Sequence, residues 1–215
     1  RQGDTDMMGV DLHLKPGSAP CWAPVRDLNP KLRADLQETI NTWLQEGVIE
    51  PSSSEWASAL VPVKKRDGTV RWAVDFRQIN SLLEGDSYPL PNINALLEQS
   101  AGKQVYSSLD CTNAYFTLQI NQDSRKYTAF ISPFGLFQFR KLPFGLKQAP
   151  SIYSRFVAYA MQRVAKQDLA NYLDDTLLGS HSGEEHLSRL REVFQAHREA
   201  RLLPVSYTHL TLPTI

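Results

Sequence analysis

Leu169-Ala170-Asn171-Tyr172-Leu173-Asp174-Asp175-Thr176-Leu177-Leu178-Gly179 is the stretch on which the reading of this chain turns. Two apolar runs flank a pair of adjacent carboxylates, the pattern of strand, tight acidic turn and strand. Adjacent residues of a flat strand face opposite ways, so a turn is needed for both acids to reach one site. Two negative charges pressed together between apolar segments are costly unless a cation neutralises them. A hard divalent ion with oxygen ligands, Mg²⁺ above all, is the usual solution. The stretch therefore points to metal-dependent phosphoryl chemistry.

Upstream and downstream of it the chain alternates helix and strand signals. Asn29 as N-cap, Pro30 at the first helical position and Gly47 past the end delimit a helix. Its inward face is expected to carry Leu32, Leu36, Ile40, Trp43 and Leu44. Residues 59–63 and 70–76 read as strands joined by the turn Arg66-Asp67-Gly68-Thr69. A short helix is expected over 92–100, ending near Gly102. Strands are expected over 104–109, 116–120, 127–131 and 136–140. Helices are expected over 149–164 and 183–201, the last with Leu187, Leu190, Val193 and Phe194 inward. Residues 1–28 read as an extended arm. This order is mixed without strict strand–helix–strand alternation, so the fold class is α+β.

Composition sets further bounds. The chain has 215 residues, 42% of them hydrophobic and 21% charged, room for one large or two small domains. No apolar run reaches the roughly 18–20 residues of a membrane span, and residues 1–6 are polar with no signal-like segment behind them. Cys21 and Cys111 are the two cysteines, too few for a disulfide scaffold, and a reducing intracellular setting fits. His13, His181, His186, His197 and His209 show no zinc-ligand spacing. Net charge is zero, yet it is unevenly spread. Lys64, Lys65, Arg66, Arg71 and Arg77 face only Asp67 and Asp75 within 60–80. Arg140, Lys141 and Lys147 stand without an acid in 136–150, and the acids concentrate in 168–199. Basic segments beside an acidic one suit a site that handles phosphates through metal.

Asp110 closes the strand-like run Gln104-Val105-Tyr106-Ser107-Ser108-Leu109. With Asp174 and Asp175 it makes three carboxylates, enough to hold two Mg²⁺ ions roughly 3.5–4 Å apart. One ion would activate an attacking hydroxyl and the other would stabilise a pyrophosphate leaving group. Asp110 and Asp174 are then expected as primary ligands, with Asp175 close behind.

Tyr172-Leu173-Asp174-Asp175 resembles the YxDD motif of reverse transcriptases, and the likeness extends beyond four residues. Leu60-Val61-Pro62-Val63-Lys64-Lys65-Arg66-Asp67-Gly68-Thr69 and Arg71-Trp72-Ala73-Val74-Asp75-Phe76-Arg77-Gln78-Ile79-Asn80 resemble the fingers hairpin of that family. Ser108-Leu109-Asp110 with Ala114-Tyr115 resembles its first catalytic motif, and the run from Leu142 through Phe144-Gly145 to Pro150 its template and nucleotide motif. Tyr88-Pro89-Leu90-Pro91 is typical of gypsy-type LTR retrotransposons, the group that the chain is most similar to over about residues 10–203. The resemblance implies part of a retrovirus-like Pol polyprotein. Fingers are expected over 29–85 and 117–148, and a palm over 86–116 and 149–204. That palm would be a ferredoxin- or RRM-like antiparallel sheet backed by helices, with no thumb.

The same resemblance implies an RNA-directed DNA polymerase. Asp110, Asp174 and Asp175 would be catalytic and would bind two Mg²⁺ ions, Mn²⁺ being an alternative. Lys65 and Arg71 would grip the incoming triphosphate, Arg bidentately. Tyr115 would be the steric gate against a 2′-hydroxyl. Phe144 and Gly145 would pack on the nascent base pair, by stacking, since retroviral members often carry Gln where Phe144 stands. Lys64, Arg77 and Tyr172 would face nucleic acid, with Asp75 orienting Arg77. Trp43 and Trp56 read as packing residues. Partners implied are a primed RNA or DNA template, deoxynucleoside triphosphates and the remaining Pol modules (thumb, RNase H, protease, integrase), with no membrane. The setting implied is cytoplasmic or within virus-like particles.

Residues 205–215 depart from the family pattern and are expected to be foreign or out-of-frame; the start at Arg1 suggests a fragment, and the expected lack of a thumb implies a weak hold on primer–template and little processive synthesis. Two other readings stay open on the sequence: a catalytically idle nucleic-acid-binding relic, and a two-metal phosphohydrolase, for which Lys65, Arg71 and Tyr115 have no obvious use.

Overall fold

The elements follow one another as β1 (Gly9–Val10), α1 (Pro30–Gln45), β2 (Ile49–Pro51), β3 (Ser58–Lys64), β4 (Val70–Asp75), α2 (Arg77–Leu82), α3 (Ile93–Ser100), β5 (Val105–Asp110), β6 (Gln119–Ile120), α4 (Gln122–Arg125), β7 (Phe130–Ser132), β8 (Gly135–Phe139), α5 (Ala149–Ala160), β9 (Leu169–Tyr172), β10 (Asp175–Ser180), α6 (Gly183–Glu199) and β11 (His209–Thr211). The structure is a computed structural model that describes residues 9–86, 88–89, 92–111, 114–162, 164, 169–172, 175–202 and 209–211. By backbone contacts the chain divides into two compact units, one built on residues 9–86 and 118–149, the other on 87–117 and 150–215.

The first unit is organised by a five-stranded sheet of order β2-β8-β7-β3-β4. Its pairs are antiparallel except β3 with β7, which run parallel. α1 begins as the sequence predicts: the Asn29 carboxamide oxygen accepts from Leu32 N–H at 2.9 Å, and Pro30 opens the helix. Leu36 and Ile40 are buried, but Leu44, expected inward, is exposed at the C-terminal end. Trp43 packs on Phe130 and Phe139, and Trp56 meets Tyr127 edge-on. Trp72 Nε1–H donates to Asp35 Oδ2 at 2.7 Å, tying β4 to α1. Residues 9–28 are stitched on by short pairings, β1 beside β6, Leu14 with Leu83 and Trp22 with Ala57. Val10 and Leu12 are buried.

Two sequence expectations fail here. The strand expected over 116–120 is a 3-10 turn over Ala114–Thr117 followed by the two-residue β6. The strand expected over 127–131 likewise begins late, behind a 3-10 turn over Lys126–Thr128. In both places apolar residues are buried by short irregular segments, a burial pattern that period-2 reading mistakes for a strand. α2 has no counterpart in the sequence pattern, because its six residues are too few to show a helical period.

The second unit carries a four-stranded antiparallel sheet of order β11-β5-β10-β9. α6 packs against β5 and β10, and α3 against β9 and β10. α6 starts at the N-cap Ser182, whose hydroxyl accepts from Glu185 N–H. Its buried stripe is His186, Leu190, Val193, Ala196 and His197. Leu187 and Phe194, expected inward, are exposed, 59% and 41%. The stripe at i, i+4, i+7 and i+11 uses two histidines as inward residues, which an apolar-only reading excludes. α5 ends at Ala160, short of the expected 164. Among the described residues no helix is long and apolar enough to cross a membrane, and neither cysteine is part of a disulfide.

Candidate active site

β5 and β10 run antiparallel in a register that sets Asp110 directly opposite Asp175. On the other side of β10, Asp175 is opposite Tyr172 of β9. Directly opposed residues of neighbouring strands project to the same face. Tyr172, Asp175 and Asp110 therefore form a row across three strands at one end of the sheet. Both carboxylates are exposed.

The opposite face of these strands is closed. Val105, Ser107 and Leu109 of β5 and Thr176, Leu178 and Ser180 of β10 are buried. Burial of one face fixes the register, because a slip of one residue would turn each carboxylate inward. Imidazole chemistry reinforces it. His186, buried on α6, is 2.8 Å from Ser107 Oγ through Nε2 and 3.0 Å from Ser180 Oγ through Nδ1. One side chain thus joins α6 to both strands that carry the acids. Burial pushes the His186 pKa below the ordinary imidazole value, which favours the neutral ring, in which one nitrogen donates and the other accepts. The sequence offered a faint signal for this trio: serines on the inward-facing period of two strands and a histidine one turn into the following helix.

Asp174 and Leu173 lie outside the described residues, as do Leu90 and Pro91. Among the described residues no group of three His, Cys, Asp or Glu is arranged to hold a metal ion. Asp110 and Asp175 nevertheless supply anionic oxygens from facing positions, the donor chemistry that suits a hard cation.

Tyr115 is buried, in the 3-10 turn that follows β5, with its ring 5.0 Å from that of Tyr153 on α5. A gate at this position would be a ring held from behind by a second ring.

The remaining candidates belong to the first unit. The β3–β4 hairpin is closed by Lys65 N–H donating to the Thr69 carbonyl at 2.8 Å. Inside it Asp67 accepts from the Thr69 amide and hydroxyl, which hold its carboxyl below the usual range, the hydroxyl bond foremost. Lys64, Lys65 and Arg71 are exposed. Arg71 pairs across with Val63 and so projects to the face opposite Trp72, the face away from α1. Arg77 is exposed and forms a bidentate pair with Asp75, at 2.8 and 2.6 Å. Hydrogen bonding to Arg77 holds the Asp75 carboxyl below its ordinary pKa. Phe144 is 49% exposed on the loop after β8, beside Gly145 at φ +94°.

Against known proteins, a family model for reverse transcriptase (RNA-dependent DNA polymerase) matches residues 63–204. The chain belongs to the reverse transcriptase family. It is 36% identical over 171 residues, 78% of its length, to the enzymatic polyprotein of Cauliflower mosaic virus (strain Strasbourg). It is 29% identical over 182 residues, 84% of its length, to the transposon Tf2-3 polyprotein of Schizosaccharomyces pombe. The chain spans 25% of the first of these relatives and 14% of the second. Among solved structures it is similar to the foamy viral protease-reverse transcriptase in complex with RNA/DNA hybrid, with a TM-score of 0.88 and 22% identity, over 98% of this chain and 28% of that one. The form of the same protein called dRH, in complex with double-stranded DNA, gives 0.87 at 22% identity, over 98% and 37%. The α+β fold is thus that of a reverse transcriptase. Residues 205–215 fall outside the family match, though β11 within them pairs with β5.

Proposed function

We propose that this chain is the fingers and palm of an RNA-directed DNA polymerase, which transfers deoxynucleotides to a primer 3′-hydroxyl under the direction of an RNA or DNA template. The first unit serves as fingers and the second as palm. The observation that carries the reading is the cross-strand pair Asp110 and Asp175, exposed beside Tyr172 on a sheet whose other face is sealed by α6. When bound, two Mg²⁺ ions held by Asp110, Asp174 and Asp175 would supply hydroxyl activation and charge neutralisation on the leaving pyrophosphate.

The residues of the chain bind and orient. The primer 3′-oxygen attacks the α-phosphorus in line; its bond to phosphorus forms as the bond to the β-phosphate oxygen breaks, and pyrophosphate leaves. Lys65 and Arg71 neutralise the β- and γ-phosphates, Arg through two parallel hydrogen bonds. Tyr115, backed by Tyr153, closes the space a 2′-hydroxyl would need. Phe144 and Gly145 pack on the nascent base pair. Lys64, Arg77 and Tyr172 contact the strands through backbone and shape, since a polymerase must accept every sequence. That the relatives are polyproteins supports a setting with further Pol modules beside this one; the cytoplasm or a virus-like particle is the place of action that goes with the polymerase reading.

Single-nucleotide addition to a primed poly(rA) template, with the 215-residue chain in excess and Mg²⁺ or Mn²⁺ present, tests the proposal. The wild-type chain is expected to extend oligo(dT), and Asp174→Asn to lose at least about 100-fold in rate. Extension by Asp174→Asn at the wild-type rate would contradict the assignment. No extension by the wild-type chain with either ion would leave nucleic-acid binding without catalysis as the function.

A further inference from the structure

Asn80 sits in the second turn of α2, half-buried, with its backbone N–H donating to the Phe76 carbonyl at 2.8 Å. Its side chain is directed away from the helix. Asn80 Nδ2–H donates to the Gly145 carbonyl at 2.8 Å, and Asn80 Oδ1 accepts from Lys147 N–H at 2.7 Å. One carboxamide thus binds a carbonyl and an N–H two residues apart, as a neighbouring strand would. The two partners have opposite polarity, which a carboxamide matches and a carboxylate or a hydrocarbon does not.

The segment so held is the one that presents Phe144 and Gly145. Gly145 takes φ +94°, a conformation that L side chains rarely adopt, and a Cβ there would lie 3.5 Å from Phe76 Cδ2 and 3.8 Å from the Val74 carbonyl. The loop therefore rests on the end of β4 and the start of α2. A second tether lies at its far end, where Gln148 Nε2–H donates to the Glu84 carbonyl at 3.0 Å. Without these bonds a Gly-containing loop has more conformations open to it, and the place of Phe144 would be less closely fixed.

We infer that Asn80 is a positioning residue for the incoming nucleotide: by clamping Gly145 and Lys147 it fixes the loop that sets Phe144 against the nascent base pair. The inference rests on the polymerase reading above. Its substrate class is the deoxynucleoside triphosphate, and its effect falls on nucleotide binding and base-pair discrimination, not on the carboxylate chemistry of β5 and β10.

Two measurements on the whole chain test it together, with Asn80→Ala and Asn80→Asp. Asn80→Asp keeps the acceptor for Lys147 N–H and loses the donor to Gly145, so it should fall between wild type and alanine. Hydrogen–deuterium exchange is expected to quicken at least about 10-fold over 143–148 in Asn80→Ala, with α1 unchanged. Single-nucleotide addition should show KM for dTTP raised about 10-fold or more, kcat within about 3-fold, and discrimination against a mismatched nucleotide reduced. A purely structural role would lower the active fraction, and with it kcat, and leave KM alone. Unchanged exchange over 143–148 in Asn80→Ala overturns the clamp, whatever the activity. Quickened exchange with unchanged KM and discrimination overturns the positioning role. If the wild-type chain adds no nucleotide while the exchange difference is present, the polymerase reading fails and takes the nucleotide role with it, and the clamp itself is seen to stand.

Discussion

Asp110 and Asp175 are like charges at directly opposed positions of an antiparallel pair, an arrangement that destabilises a sheet. Neutralising either should therefore leave the fold intact and raise the melting temperature slightly in metal-free buffer. Mg²⁺ should raise the melting temperature of the wild-type chain and have little effect on Asp110→Asn. Thermal unfolding with and without the ion measures both; a fall in stability on neutralisation would mean the two acids do not repel. Gly179 makes a second claim at this scale. A Cβ there would meet Lys103 Cγ at 2.9 Å and Tyr106 Cε1 at 3.3 Å, across the strand from its partner Tyr106. Gly179→Ala is expected to cost about 1–3 kcal/mol in urea unfolding through overpacking. At this scale the sequence shows which residues are chemically unusual, such as the adjacent acids and the basic hairpin. It does not show which side chain clamps which backbone: nothing in the run Arg77-Gln78-Ile79-Asn80 announces that Asn80 grips a loop 65 residues away.

At the scale of elements, α6 and its histidines dominate. His186 and His197 are both buried, and burial, the largest influence on each, lowers both pKa values. The unfolded chain binds their protons more readily than the folded one. Stability from this source is full above the ordinary imidazole pKa of about 6.5 and drains away as pH falls through the lowered folded values. The urea midpoint should hold between pH 8 and 7 and decline toward pH 5.5, above the range where carboxylates titrate. His186→Gln, which keeps one hydrogen-bonding end, should shrink that decline; an unchanged decline would assign it elsewhere. At the other end of the chain Asn29→Ala is expected to destabilise by about 0.5–2 kcal/mol, since it removes the cap on Leu32 N–H. α1, the β3–β4 hairpin and the β9–β10 pair were legible because caps, turn residues and apolar periods agree there. The inward face of α6 was not, because a histidine satisfied by two serines reads as polar until its partners are known. The 3-10 segments and α2 were hidden by their shortness.

Taken whole, the molecule has no net charge, so the affinity for nucleic acid that the proposed function requires has to come from local basic segments. Binding to a primed template should weaken linearly on a log–log plot with salt, with a slope set by the few phosphates contacted, about −0.9 for each one on a duplex. Lys64→Ala should make that slope shallower by about one; an unaltered slope would remove Lys64 from the interface. The α+β class was legible from element order alone, and the motifs carry the family resemblance by themselves. Asp110 and Asp175 lie 65 residues apart in sequence, and only the β5–β10 register makes them neighbours. Whether those neighbours make one metal site is best measured directly, by titrating Mn²⁺ into the chain and following the free ion by electron paramagnetic resonance. The prediction is that the wild-type chain takes up the ion and that Asp110→Asn and Asp175→Asn each weaken its uptake at least about 10-fold. Wild-type affinity in either variant would contradict the account.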